Sequence, residues 1–237
     1  MQTNLNKTSK AISTMFTSIA PKYDVMNDIM TGFSHRITRK FALNLLDLKN
    51  NERLLDLASG TGDFALLANS LKTENQIIAV DFSKGMLEQA IQKNRLQSKN
   101  RSRNSMNFIA SDITYLPFLE ESIDACSICF GIRNVEDTQL VLKEISRVCK
   151  SRLLIIESTI PANPLIRFVI SFYFKKIVPL IAKVFSSDAK AYDYYFESVE
   201  HFLPPMELIG ILKKAKWKKV TYHQLFLGAV TVYLVLK

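Results

Sequence analysis

RLLDLASGTGD, residues 53–63, decides how the chain is read. Leu54, Leu55 and Leu57 form a short apolar run with no polar alternation, as in a strand buried on both faces. Asp56 sits near its end, and Ala58, Ser59, Gly60, Thr61 and Gly62 form a small-residue turn. Residues 64–71 then carry a helix-compatible apolar pattern. A glycine turn between strand and helix lets a ligand approach the backbone closely and aims the first helical amides at it. That arrangement predicts a nucleotide-type site.

Outward from this turn, strand and helix alternate. Strands are predicted over 53–57, 76–80, 106–110, 123–129 and 152–157, with helices over 62–71, 83–95 and 136–148. Alternation of this kind implies a mostly parallel sheet covered on both faces. Residues 11–50 read as mostly helical with a turn at Gly32, and Phe41, Leu45, Leu46 and Leu48 fit one face that packs on the sheet. Residues 1–10 read as a disordered tail, and 161–200 as a helical lid or insert. A helix is expected over 206–215, then two strand-like runs joined near Gly228, an antiparallel hairpin at the sheet edge. The whole, 1–237, reads as one α/β domain with a seven-stranded, mostly parallel, Rossmann-like sheet, helices on both faces and an antiparallel C-terminal strand.

Composition bounds the class. The 237 residues are 48% hydrophobic, which supports a large core and excludes a disordered chain. The formal charge of +9 favours an anionic partner: nucleic acid, an anionic membrane surface or an acidic ligand. Three cysteines make no disulfide framework, and a reducing cytoplasm is the simple inference. Cys126 and Cys129 have C-x-x-C spacing, but on a strand they point to opposite faces, so no metal is expected. The N-terminal residues lack the apolar region of a secretion signal, and no run of about 18 apolar residues exists to span a membrane.

Two further acids join the turn. Asp81, 19 residues beyond Gly62, ends the second strand, where a carboxylate can accept both hydroxyls of a ribose. Asp112 follows the third strand and can accept from an adenine amine, with Ile113 against the ring. Ligands of open α/β sheets bind at the carboxyl ends of strands, so the three features converge on one crevice. A dinucleotide remains open through Gly60, Gly62 and Ala65 as a G-x-G-x-x-A variant. Asp56 close before the turn, the recurrence of acid at Asp112 and the terminal hairpin favour S-adenosylmethionine.

The words KYDVMND (22–28), LLDLASGTGD (54–63), LPF (116–118), FGIRNV (130–135) and AYDYYFESVEHF (191–202) make the chain resemble the ubiquinone/menaquinone C-methyltransferase family over most of its length. DLASGTG is shared by all class I S-adenosylmethionine-dependent methyltransferases, whereas FGIRN and KYD-x-MN are specific to this family. The chain departs from the pattern at Thr38 and Arg39, which follow His35–Arg36 where tryptophan is usual, and at a Lys150–Ser151 turn shorter than the family's Lys-Pro-Gly-Gly. It also carries Cys129 where serine is frequent and Asp112 where many members have asparagine.

The resemblance implies S-adenosylmethionine-dependent C-methylation of a prenylated hydroquinone: demethylmenaquinol, or alternatively a 2-polyprenyl-6-methoxy-1,4-benzoquinol. Thr61, Asp81, Asp112, Ile113 and Cys129 occupy its cofactor-contact positions, while Asp56, Gly60 and Gly62 come from the physical reading. Arg133 and Asn134 are catalytic candidates: Arg133 can stabilise a ring phenolate or orient a water, its bland alternative being an ion pair with Glu136 or Asp137. Asp63 joins them, as a contact for the cofactor's amino group or as a helix cap. Tyr23, Tyr192 and His201 are acceptor-pocket candidates, and Tyr195 reads as core. The apolar 164–185 stretch, broken by Arg167, Lys175, Lys176 and Lys183, can meet lipid headgroups, pack as a lid or join a homodimer. Expected location is the cytoplasm, or the inner face of the membrane. Rival readings are a nucleic-acid methyltransferase, disfavoured because CFGIRN replaces the Asp/Asn-Pro-Pro-aromatic word, a non-catalytic cofactor-binding module, and an NAD oxidoreductase.

Overall fold

A computed structural model describes residues 7–71, 74–98, 106–185 and 190–237. The helices α1 (Ser9–Ile19), α2 (Tyr23–Thr31) and α3 (Ser34–Leu46) come first. The sheet then opens with β1 (Arg53–Leu57), α4 (Asp63–Asn69), β2 (Gln76–Asp81), α5 (Lys84–Ser98), β3 (Met106–Ala110), β4 (Ile123–Cys129), α6 (Thr138–Val148) and β5 (Cys149–Ser158). Next are α7 (Pro164–Phe172), a π-helical turn Tyr173–Ile177, α8 (Val178–Phe185), α9 (Lys190–Glu200) and α10 (Pro205–Lys214). The chain closes on β6 (Lys219–Leu225) and β7 (Val230–Leu236).

The strands form one seven-stranded sheet in the order β3-β2-β1-β4-β5-β7-β6. β7 runs antiparallel to both β5 and β6 and the other pairs are parallel. The terminal hairpin therefore slots β7 against β5 and leaves β6 as the edge strand.

The continuous apolar runs have a physical reason. Leu55 and Leu57 join Cys126, Ile128, Val141, Ile145, Leu208 and Leu212 on one face of the sheet. Leu54 joins Ala42, Leu46, Phe64, Ala68 and Leu154 on the other. Burying each such leucine contributes about 1.5–3 kcal/mol. Cys126 and Cys129 pack on opposite faces, as period two requires.

Two expectations shift. On α3 the buried face is Ala42, Leu43 and Leu46, while Phe41 is half-exposed with its ring edge-on to His223. The stretch read as a tail, 1–10, already holds structure at its C-terminal end. Residues 1–6 lie outside the described residues, but α1 begins at Ser9 and the Lys7 ammonium donates to the Arg133 carbonyl at 2.7 Å.

Candidate active site

The register of the first strands assembles the site. Leu57 lies opposite Val80, so Asp81 projects one residue past the end of β1. Its Oδ2 accepts the Gly60 amide at 2.8 Å and its Oδ1 accepts the Ser83 amide at 2.8 Å. The acid thus pins the glycine turn, and each oxygen keeps a lone pair for a further donor. Burial nevertheless pushes the Asp81 carboxyl above its ordinary range. Gly60 lies in the left-handed region (φ +56) and lines the cleft. Gly62 does not line it: a Cβ there would come within 3.0 Å of the Ala90 Cβ, so this glycine serves helix packing on α5. Across the cleft, a Cβ on Gly131 would meet the Ala58 Cβ at 2.7 Å, which explains the glycine in FGIRN: the ends of β1 and β4 touch there.

The strand ends open into a cavity of about 250 Å³. Asp56, Gly60, Thr61, Asp63, Asp81, Asp112, Ile113, Cys129, Asn134 and Tyr23 all line it. α1 and the segment before it contribute Phe16, Ile12 and Lys7, so the N-terminal helices close one side. Asp56 is buried and accepts from Ser127 Oγ at 2.7 Å, while its Oδ2 has no hydrogen-bond partner. Burial, only partly offset by Ser127, pushes this carboxyl up to about 7. Asp112 Oδ1 accepts the Thr114 amide and hydroxyl, a local turn that holds the carboxylate at the cavity. Burial pushes the Cys129 thiol well above its usual range, which makes it a small neutral wall and not a nucleophile.

Asp24, of the KYD word, ties α2 to the turn. Thr61 Oγ1 donates to Asp24 Oδ1 at 2.6 Å, and Lys93 donates to Asp24 Oδ2 at 2.7 Å and to Asp63. Burial raises the Asp63 carboxyl, but Arg39 and Lys93 outweigh it and hold the group below its ordinary range. Asp63 is thus a charged cavity wall and not a proton carrier.

A second, smaller cavity of about 60 Å³ adjoins the first. Phe16, Tyr23, Arg39 and Phe130 line both. Arg133, His35, Met30, Phe174, Tyr194 and Tyr195 also line the second. Arg133 pairs with the fully buried Glu157 at 2.7 Å, not with Glu136 or Asp137. Asp137 instead caps α6 through the Gln139 and Leu140 amides. Arg133 also donates to the Phe130 carbonyl and to Ser198 Oγ, and lies 4.8 Å from the centre of the Tyr195 ring. Burial opposes its charge, yet Glu157 more than restores it. Nη2 is left without a hydrogen-bond partner among the described residues. Asn134 Oδ1 accepts from the Tyr194 hydroxyl at 3.2 Å, which links the two cavities. Burial pushes the Tyr194 phenol up to about 12.

Tyr195, expected in the core, lines this second cavity and shares a 2.9 Å hydrogen bond with Ser158. His201 does not reach either cavity. It follows α9, exposed, with Nδ1 against the Glu197 carbonyl, because the helix turns its buried face through Phe196 and Val199. The side chain of Tyr192 lies outside the described residues.

Residues 2–237 match the ubiE/COQ5 methyltransferase family. The chain belongs to that family. It is 36% identical over 97% of its length, and 87% of the relative, to a demethylmenaquinone methyltransferase of Paenarthrobacter aurescens. It is 32% identical over 97%, and 92% of the relative, to a ubiquinone/menaquinone biosynthesis C-methyltransferase of Saccharophagus degradans. Its fold matches a solved S-adenosylmethionine-dependent methyltransferase of Thermotoga maritima at a TM-score of 0.61 and 18% identity, covering 94% of this chain and 98% of that one. As a ubiE/COQ5-family methyltransferase the protein uses S-adenosylmethionine as methyl donor. The residues fit this group: the buried Asp56 and Asp81 and the half-buried Asp112 stand at successive strand ends along the cavity, and Asp56 keeps a buried oxygen without a partner.

Several members of the ubiE/COQ5 site were not legible in sequence. Glu157 had a signal, a lone acid ending the apolar run LLIIE, which must find a cation when buried. Arg39, Lys93 and Lys7 had none, since their neighbours come from distant helices.

Proposed function

We propose that this methyltransferase acts in quinone biosynthesis, methylating a ring carbon of a prenylated hydroquinone, with demethylmenaquinol as the acceptor. One observation carries this reading: an acid-lined cavity at the strand ends shares the wall Tyr23–Arg39–Phe130 with a second cavity that is aromatic and holds a buried arginine. The first suits a cationic nucleoside donor, the second a flat ring that develops negative charge. The relatives' names supply the ring class.

S-adenosylmethionine supplies an electrophilic sulfonium methyl. The chain's own residues do the rest. Asp81 and Asp112 hold the nucleoside, and Asp56 and Asp63 face the amino-acid end. Arg133, through Nη2, holds the ionised ring hydroxyl, and that charge enriches the adjacent ring carbon in electrons. Glu157 keeps Arg133 in place and charged. Asn134, oriented by Tyr194, holds the ring or a water that takes the proton lost from the methylated carbon. Phe16, Tyr23 and Phe130 exclude bulk water and hold donor and acceptor in line.

The prenyl tail explains the outer helices. Leu165, Phe168, Val169 and Phe172 on α7 are all more than half exposed, and no residue of that helix is buried. Lys175 and Lys176 follow directly and are exposed. Apolar residues beside cations suit the inner face of an anionic membrane, where the acceptor resides. No helix among the described residues is long and apolar enough to cross a membrane.

The test is incubation with S-adenosylmethionine and a short-chain demethylmenaquinol, with the product read by mass spectrometry. A product heavier by one methyl on carbon supports the reading. Methylation of a polyprenyl-methoxybenzoquinol alone would move the protein to the ubiquinone branch, and donor binding with product from neither ring would overturn the proposal.

A further inference from the structure

We propose that Arg39 receives the α-carboxylate of the methyl donor, at the β1–β4 end of the first cavity. The inference rests on reading that cavity as the donor site.

The sheet order lays out the cavity from end to end. Asp112 and Ile113 follow β3, Asp81 ends β2, the glycine turn follows β1, and Cys129 ends β4. A ligand with an adenosine at one end and an amino acid at the other places its ammonium and carboxylate beside β1 and β4 once its nucleoside lies at β3 and β2. Arg39 stands at that end. Its Nη1 is 3.4 Å from Asp63 Oδ2, just past the β1 turn, and its guanidinium lies 5.5 Å over the Phe130 ring, just past β4.

The guanidinium is underused. Arg39 is 9% exposed, and its Nη1 donates to His35 Nδ1. Nε is buried with no partner, and Nη2 makes no hydrogen bond among the described residues. Buried donors left idle cost free energy that an arriving anion recovers, and a guanidinium matches a carboxylate with two parallel bonds. Beside it, Asp63 offers the opposite charge. Asp63 for the ammonium and Arg39 for the carboxylate complement a zwitterion.

The arginine is also held in position. Arg36 donates to Asp28 at 2.7 and 2.5 Å, and His35 Nε2 lies 2.8 Å from the same carboxylate. An arginine only donates, so His35 Nδ1 must be the acceptor and Nε2–H must point to Asp28. This Asp28–His35 pair fixes the ring that steers Arg39. Lys7 is the other cation at the cavity among the described residues, and its ammonium is already bonded to the Arg133 carbonyl.

The test is calorimetry on the full chain with three ligands: S-adenosylmethionine, its decarboxylated form, and 5′-methylthioadenosine, which lacks the amino acid altogether. The wild type should prefer S-adenosylmethionine to the decarboxylated form by about tenfold or more, as a charge-assisted bidentate pair implies. Arg39→Gln should lose that preference while binding the decarboxylated ligand and methylthioadenosine as before. Arg39→Lys should keep part of it, and Lys7→Gln all of it. Equal binding of the two forms by the wild type overturns the proposal without any variant. Equal weakening of all three ligands by Arg39→Gln also overturns it, because that is the mark of a structural role. If the wild type binds none of the three, the donor-site reading itself falls, and the inference with it.

Discussion

Donor binding should release a proton, and Asp56 should be its source. The folded carboxyl titrates at about 7 because it is buried, against an ordinary value of 3.8. A raised folded value means stability fully present below the ordinary value and lost as pH rises through 7. The gap amounts to on the order of 4 kcal/mol held against the ionised form in the free protein. A donor carrying sulfonium and ammonium charge in the same cavity supplies the missing counter-charge and returns the carboxyl toward its ordinary range. At pH 7 about half the molecules carry the proton, so binding should release about half a proton, approaching one at pH 6. Affinity should rise about tenfold between pH 6 and 8 and level off above. The assay is calorimetry in buffers of different ionisation enthalpy, with Asp56→Asn as control. The amide keeps the shape and the Ser127 hydrogen bond, so the variant should bind without buffer dependence and gain thermal stability above pH 7. Equal heats in all buffers for the wild type, or an unchanged release in the variant, would refute the assignment.

Other consequences are open to direct test. Arg133→Gln should abolish turnover while leaving donor affinity within a few-fold, and it should destabilise the fold by about 3–5 kcal/mol by stranding Glu157. The double variant Arg133→Gln/Glu157→Gln should recover much of that stability without recovering turnover, and wild-type turnover in either would remove Arg133 from the chemistry. Gly131→Ala should lower the melting temperature through a loss of about 1–3 kcal/mol, because its new Cβ collides with Ala58, and an unchanged melting temperature would contradict the close approach of β1 and β4. Phe168→Glu/Phe172→Glu should lose co-sedimentation with anionic phospholipid vesicles while methylating a tail-less quinol at the normal rate, and undiminished vesicle binding would place the membrane face elsewhere.

Most of the frame was legible in the chain because it follows from local rules. Five parallel strands announced themselves as short apolar runs, since a strand covered on both faces has no solvent side to make polar. The terminal hairpin was equally visible, but its placement was not. Nothing local says that β7 pairs with β5 and leaves β6 at the edge. His201 shows the same limit: it shares a word with Tyr194 and Tyr195, yet the helix ends before it and its ring faces solvent. Gly62 shared the turn with Gly60 and took a different task, because the chain had already rotated toward α5 there.

RLLDLASGTGD by itself determined that a strand ends in a glycine turn; Asp81 and Asp112 made that a nucleoside site, and Asp56 with the terminal hairpin favoured S-adenosylmethionine over a dinucleotide. These features repeat along one strand order, so spacing alone carries them. Tertiary structure decided how charge is distributed across the site. Whether Asp56 is a carboxylate or a carboxylic acid depends on burial, and whether Arg133 is a surface pair or a buried one depends on Glu157, 24 residues away on β5. Arg39 owes its idle donors to the packing of α3, which sets the guanidinium beside Asp63 and Phe130, residues past the ends of β1 and β4. Electrostatic free energy depends on distance and solvent exclusion between groups remote in the chain, and those quantities exist only once the helices have closed over the sheet.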